Sequence, residues 1–530
     1  MKLLRALATA AAFTAMLGVS QAATPKDTFI AAWQFDDIIS LDPAEVFEFS
    51  GGEVVGNSYE TLIGYDVKDV SKIFGVMAES WTVSSDGKTL TFRIKEGKKF
   101  ASGNPITAED VAYSLQRAVI IDKSPAFILG QFGLTKENVK DKIKQTGPFT
   151  VTFELDKPYA PTFVLYCLTA NVGSIVDKKL VVANEKDGDM GYAWMKAHSA
   201  GSGPFKLREW RANEVVTLER NDNYDGYLGK PAIARVVYRH IKETATQRLL
   251  LEKGDVDMAR NLGAEELDAL SKDPNIAVQT GVKGSLYYLG LNQKNATLAK
   301  PEVREALKWL VDYSAIADTI MKYQVKPHQG FLPEGFLGAV NETPYKLDVA
   351  KAKELLAKAG LKDGFTITMD TRSIPTITGI AQAIQQTFAQ AGIKLEIIPG
   401  DGKQTLTKYR ARQHDIYIGQ WGPDYQDPNT NADTFAANDS NADDAKAKPL
   451  SWRNAWDIPE LTKLTRAAVL EADAAKRAKM YEDTQKQVMA TGPFVIMFQQ
   501  IEIAATRKNV KGFVLGPAFN NNYAAGVTKD

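Results

Sequence analysis

The sequence predicts an α/β protein with two sheet-based lobes, and three observations carry the prediction. From Phe365 to Asp424, strand-like runs alternate twice with helical periods, which reads as consecutive βαβ units. Before about residue 260, residues alternate around turn dipeptides instead, the pattern of antiparallel strands. The 530 residues are enough for roughly three or four domains of ordinary size and a large buried core.

Composition narrows the class. The apolar share is 44% and the charged share 24%, ordinary for a globular protein. Lys plus Arg equals Asp plus Glu at 64 each, so no basic excess points to nucleic acid. Lys2 and Arg5 precede an apolar run, Ala6 to Val19, too short for an ordinary membrane span. Ser20-Gln21-Ala22 then offers small residues at the spacing a signal peptidase accepts. We expect residues 1–22 to be a signal peptide cleaved after Ala22, giving a secreted chain. The lone cysteine, Cys167, stands in the apolar run Phe163–Leu168 and reads as a small buried hydrophobe.

The elements follow in order. Phe29–Trp33 is strand-like, Leu41-Asp42-Pro43 a turn, and Phe47-Glu48-Phe49-Ser50-Gly51-Gly52 a loop carrying two exposed aromatics. Trp81 and Val83, the Asp86-Gly87 turn, then Leu90, Phe92 and Ile94 make a hairpin. Thr107 and Asp110 cap a helix with Val111, Ala112, Leu115 and Ala118 on one face. Phe149, Val151, Phe153 and Leu155 alternate as another strand, so 65–200 reads as a small α+β unit. Residues 201–257 are strand-rich. From Leu286 the pattern becomes strand then helix: Tyr287–Asn292, a helix begun by Pro301, a second capped by Asp348 and closed by Gly360, then 365–369, 377–391, 393–398 and 403–412. The Asn/Asp-rich stretch 427–444 reads as a surface loop. Asp427, Asn429 and Asn431 have calcium-loop spacing, but Ala432 and Asn438 stand where Gly and Glu are required. Two helices, 459–472 and 475–488, precede a buried strand at Phe494–Phe498.

No serine-nucleophile elbow, zinc-protease motif, phosphate-binding loop or clear dinucleotide fingerprint is present. His198, His240, His328 and His414 show no metal-ligand spacing and read as surface or helix-end imidazoles. No catalytic residue, metal or cofactor is therefore assigned. The candidate site is the stretch from His414 to Pro428. Ile416 and Ile418 form a short strand that Trp421, Gly422 and Pro423 stop, and Asp424 and Tyr425 follow. Ligands of open α/β sheets lie beyond the carboxyl ends of strands, so a carboxylate and two rings are delivered there. By itself such a stretch also reads as a surface loop with a solvated Asp. Secretion and loop aromatics without a catalytic motif favour a binding protein; a secreted hydrolase is the alternative of another class.

The order of motifs resembles the family of extracellular solute-binding proteins that serve dipeptide, oligopeptide and nickel ABC importers. Leu41-Asp42-Pro43, Tyr59-Glu60-Thr61-Leu62, Met77–Trp81, Thr107–Val111, Gly201–Phe205, Glu219–Tyr224, Gly254–Asp257 and Trp421–Pro428 stand in the family's order along nearly the whole mature chain. The resemblance implies a two-lobe clamp of the class II-like periplasmic-binding-protein type, closing by a hinge. Lobe I would comprise 23–64, 201–283 and 500–530, with 65–200 an inserted α+β subdomain; lobe II would be 284–499. It further implies a periplasmic, monomeric binding component that hands its solute to membrane permease subunits driven by a cytoplasmic ATPase. Asp424 would take a ligand ammonium, with Trp421, Gly422 and Tyr425 around it. Arg372 would take a carboxylate, and Phe47, Glu48 and Phe49 would form lobe I's ligand loop. A di- or oligopeptide or amino-acid-like amine is the expected ligand. An opine, oligosaccharide or nickel chelate is the alternative within the fold.

Overall fold

The computed structural model describes residues 24–530 apart from Lys446 and the side chain of Lys403. The expected signal peptide and its cleavage point lie outside the described residues. The protein is built on an 11-stranded mixed sheet. From one edge its main path runs Phe205–Arg211, Val215–Arg220, Arg235–His240, Thr28–Trp33, Met258–Arg260, Phe494–Arg507, Ile276–Leu291, Ile416–Trp421, Phe365–Arg372 and Ile393–Gly400. Val325–Pro327 adds beside Phe494–Arg507.

Two long antiparallel strands, Ile276–Leu291 and Phe494–Arg507, run through the middle and join the two halves. Their first stretch, Ile276 opposite Arg507 to Val282 opposite Ile501, belongs to the half containing Thr28–Trp33. Their second, Leu286 opposite Gln499 to Gly290 opposite Phe494, belongs to the half containing the βαβ units. Between them Lys283, Gly284 and Ser285 stand opposite the single residue Gln500, a bulge at the crossing point. The expected strands at 287–292 and 494–498 are therefore only parts of much longer ones. Gly281, Lys283 and Gly284 broke the alternation that would have extended the first.

The βαβ units pair in parallel as their patterns predicted, with Phe365 beside Ile393 and Met369 beside Ile416. The helix Pro375–Gln390 buries Ile380, Ile384 and Phe388 against them. Asp348 caps Val349–Lys358, accepting the Lys351 amide at 2.8 Å.

A separate four-stranded antiparallel sheet, Ala78–Val83, Thr89–Ile94, Thr150–Glu154 and Ile143–Gly147, carries the helix Ala108–Ile121. Thr107 and Asp110 form the expected capping box. Phe92, Phe100, Leu115, Val151, Phe163 and Cys167 are buried in one core with this sheet. The Arg117 guanidinium grips the Asp42 carboxylate at 2.8 and 2.6 Å, tying this unit to the turn at Leu41-Asp42-Pro43.

Three local readings are corrected. Phe49–Ser58 is a helix and not a loop; its glycines hid it from propensity, and packing requires them. A Cβ at Gly56 would lie 2.1 Å from the Asn520 carbonyl oxygen. The stretch after Asp427 is a buried helix, Asn429–Phe435, and not a surface loop. Asp427 accepts both nitrogens of the buried Arg477 guanidinium at 2.7 Å. Finally, His328 and His414 are buried and not surface imidazoles. His328 bonds the Leu332 carbonyl at 2.8 Å, and His414 bonds Asn454 at 3.0 Å.

Candidate functional site

One register relationship builds the site. Leu286 pairs with Trp421, so the crossing-point bulge lies beside the end of the strand Ile416–Trp421. A cavity of about 570 Å³ opens there. One wall carries Gln420 to Gln426, another the bulge Lys283–Ser285, a third Val46–Phe49 and Pro517–Asn520, and a fourth Thr169–Val172 with Pro125 and Ile128. Both halves of the sheet and the inserted unit therefore contribute.

The structure brings together Asp424, Trp421, Tyr425, Gly422, Phe47, Glu48 and Phe49. It leaves out Arg372, which is exposed beside Gly402 at the end of its own strand. Arg410, in the last turn of Gly402–Arg410, reaches the wall instead. The offset follows from topology: Phe365–Arg372 pairs with Ile416–Trp421 only at Met369 and Asp370, so its end points elsewhere.

The rings differ in availability. Phe47 and Phe49 are 43% and 45% exposed, and Phe49 stacks on Phe519 with centroids 4.3 Å apart. The Phe49 ring also reaches Gly422: a Cβ there would lie 3.2 Å from its edge. Trp421 donates its indole N–H to Asn431 at 3.1 Å, which fixes the ring. Tyr425 lines the cavity from a buried position. Its ring packs on Phe163 in the inserted unit's core and its hydroxyl meets Gln131 Oε1 at 3.1 Å. It braces the site more than it faces it.

Four charged side chains line the cavity: Glu48, Lys283, Arg410 and Asp424. Lys283 is committed. Its ammonium lies 2.7 Å from Glu502 and 2.8 Å from Asn522 Oδ1, and also donates to the Gly516 carbonyl. Burial pushes Lys283 below its usual range, against the pull of Glu502. Glu502 goes the other way: burial alone would raise it, but Arg260 and Lys283 hold it at about 2. Asp424, Glu48 and Arg410 make no ion pair among the described residues. Burial pushes Asp424 up to about 7; its bond with Thr430 opposes this and the Asp433 charge adds to it. Glu48 is likewise raised by burial, partly offset by backbone N–H groups at the helix start. Gln426 Oε1 is buried on the same wall without a hydrogen-bond partner.

Sequence reasoning missed Lys283–Ser285, Arg410, Thr169–Val172 and Pro517–Asn520. Only the glycine at 284 signalled a bulge.

A solute-sized cavity between two halves that share one sheet, with three of its four wall charges lacking an ion-pair partner among the described residues, defines a two-lobe solute-binding clamp. The model of the bacterial extracellular solute-binding proteins, family 5 Middle, matches residues 72–443, and the chain belongs to this family. It is 31% identical over 504 residues to a probable D,D-dipeptide-binding periplasmic protein, DdpA of Escherichia coli, covering 94% of this chain and 93% of that one. It is 25% identical over 517 residues to the glutathione-binding protein GsiB of Pectobacterium atrosepticum, covering 96% and 95%. Among solved structures, DppA of Helicobacter pylori in complex with the peptide STSA superposes with a TM-score of 0.78 at 26% identity, covering 95% and 98%. AgaA of Agrobacterium tumefaciens in complex with agropinic acid superposes with a TM-score of 0.73 at 26% identity, covering 93% and 96%.

Proposed function

We propose that this chain is the periplasmic binding component of an ABC importer for a di- or oligopeptide or an amino-acid-like amine, with Asp424 receiving the α-ammonium. The observation that carries this reading is a cavity-wall carboxylate with no cation partner, held near neutrality by burial. An entering ammonium supplies the missing charge, and a desolvated ion pair of that kind is strong. Gln426 Oε1 adds an acceptor for a ligand N–H. The relatives named for dipeptides and glutathione, and the neighbour holding a tetrapeptide, support a peptide-like solute.

In this reading lobe I is 23–64, 201–283 and 500–530 with 65–200 inserted, lobe II is 284–499, and the bulge at 283–285 is the hinge. The chain acts as a secreted monomer after loss of residues 1–22, docks on permease subunits and catalyses nothing. The neighbour bound to agropinic acid favours a second reading, an opine as solute.

Mass spectrometry of what dissociates from the purified, denatured chain tests both. Short peptides are the expected result. A single opine keeps the transport role and overturns the peptide; peptide turnover on incubation would overturn the binding role itself.

A further inference from the structure

We infer that the solute carries, besides its α-ammonium and one carboxylate, a second cationic group, received by Glu48. This deepens the reading of Asp424 above and rests on it.

The charge inventory of the cavity calls for such a group. Of its four charged wall residues, Lys283 is neutralised by Glu502 and saturated by acceptors. That leaves two carboxylates, Asp424 and Glu48, and one guanidinium, Arg410, each without an ion-pair partner among the described residues. Asp424 and Glu48 are partly buried and Arg410 is exposed, so a solute that covers them matches the wall when it carries two positive charges and one negative, because a charge left unpaired once covered is costly.

The placements are specific. Asp424 follows the strand Ile416–Trp421, while Glu48 stands immediately before the helix Phe49–Ser58, so two different elements bring the acids to the cavity. The two acids therefore address separate groups of one solute. Arg410 presents a planar fork, the geometry a carboxylate matches with two hydrogen bonds. Glu48 lies between Phe47 and Phe49, whose exposed rings add attraction for a cation. Asp37 and Glu45 reinforce the negative field there. Glu45 is partly answered by Lys196 at 3.6 Å, so an acidic side chain at that position would meet chiefly Glu48 and Asp37. Glu48 also sits at a helix N-terminus, where its own Oε2 accepts the Phe47 amide at 3.2 Å. That contact orients the carboxylate without neutralising it.

The test is titration calorimetry of the ligand-free chain at constant pH with three dipeptides: alanyl-lysine, alanyl-alanine and alanyl-glutamate. Alanyl-lysine is expected to bind at least tenfold tighter than alanyl-alanine, and alanyl-glutamate weakest. Glu48→Gln should shrink the lysine preference to less than threefold, and Arg410→Gln should weaken all three dipeptides, with thermal unfolding confirming that both variants fold. Equal binding of the three by the parent chain overturns the second cation and leaves the peptide reading intact. Binding of none, repeated with the tetrapeptides that extend each of the three by two alanines, overturns both. A lysine preference that survives Glu48→Gln overturns the assignment to Glu48.

Discussion

Lys283 Nζ lies 2.7 Å from Glu502 Oε2, an ion pair between the two strands that cross from one lobe to the other, directly beneath the solute cavity. Glu502 also pairs with Arg260, which in turn grips both oxygens of Glu53 at 2.8 and 2.7 Å. Asn522 closes the cluster by donating to Glu53 at 2.9 Å and Glu502 at 3.2 Å. Glu53 lies on the helix whose first turn forms the cavity wall, so the cluster fixes that wall to the crossing strands.

Glu502→Gln would leave Lys283 buried without a counter-charge. Removing one partner of a buried pair costs about 3–5 kcal/mol, and urea unfolding should show a loss of that size. A loss below about 1 kcal/mol would mean that the surrounding carbonyls satisfy the ammonium alone.

Asp424 sets a pH dependence. Its folded-state pKa, about 7, stands above the ordinary 3.8. Below neutrality the acid is mostly protonated and offers no charge to an ammonium. Affinity for an amine solute should therefore rise from pH 5.5 to 7, by up to about tenfold per unit, and level off above about pH 8. The same shift makes the empty chain lose stability as pH rises from about 4 through 7. Asp424→Asn should weaken binding by about 2–5 kcal/mol at pH 8 and flatten the profile. A parent profile already flat would remove Asp424 from the ligand contact.

Arg372→Ala should leave solute affinity within about twofold, a surface-scale effect of under ~0.5 kcal/mol. Calorimetry on this variant separates the cavity drawn here from one extending to the neighbouring strand end. A tenfold loss would place the guanidinium at the solute.

Burial holds His328 and His414 at about 4, below the ordinary 6.5. The unfolded chain binds these protons first, so the stability the neutral rings confer is complete above pH 6.5 and is lost as pH falls toward 4. The loss is roughly 3 kcal/mol per ring. Asp424 works in the opposite direction over the same range, so the comparison with a variant isolates the ring: between pH 7 and pH 4 the parent should lose roughly 3 kcal/mol more stability to urea than His414→Gln does.

Much of this was legible in the sequence, for physical reasons that differ by region. The βαβ units were readable because Ile367, Met369, Ile393, Leu395, Ile416 and Ile418 are buried in one core and their helices keep a helical period. Asp424 could be placed at the cavity because it follows the end of a readable strand, whereas Glu48 was reached only through the family resemblance. What failed to show was tertiary. Arg410 and Arg372 look alike until strand register decides which faces the cavity. The helix Phe49–Ser58 is glycine-rich because Asn520, far along the chain, presses against Gly56. The stretch from Asp427 looked solvated because a linear reading does not supply Arg477 as the partner of Asp427.

The continuous central sheet also imposes an order of events on a chain emerging from its N-terminus. Thr28–Trp33 must wait for Arg235–His240 and Met258–Arg260, and Met258–Arg260 in turn for Ala504–Thr506. The strand Phe494–Arg507, nearly the last element made, supplies the edge that both lobes need. Pairings this distant in sequence form slowly, because the loop entropy falls due before the contacts repay it. The four-stranded sheet and the βαβ units can pair within their own stretches, but the joint between the two halves, and the cavity beside it, stay open until synthesis is almost over.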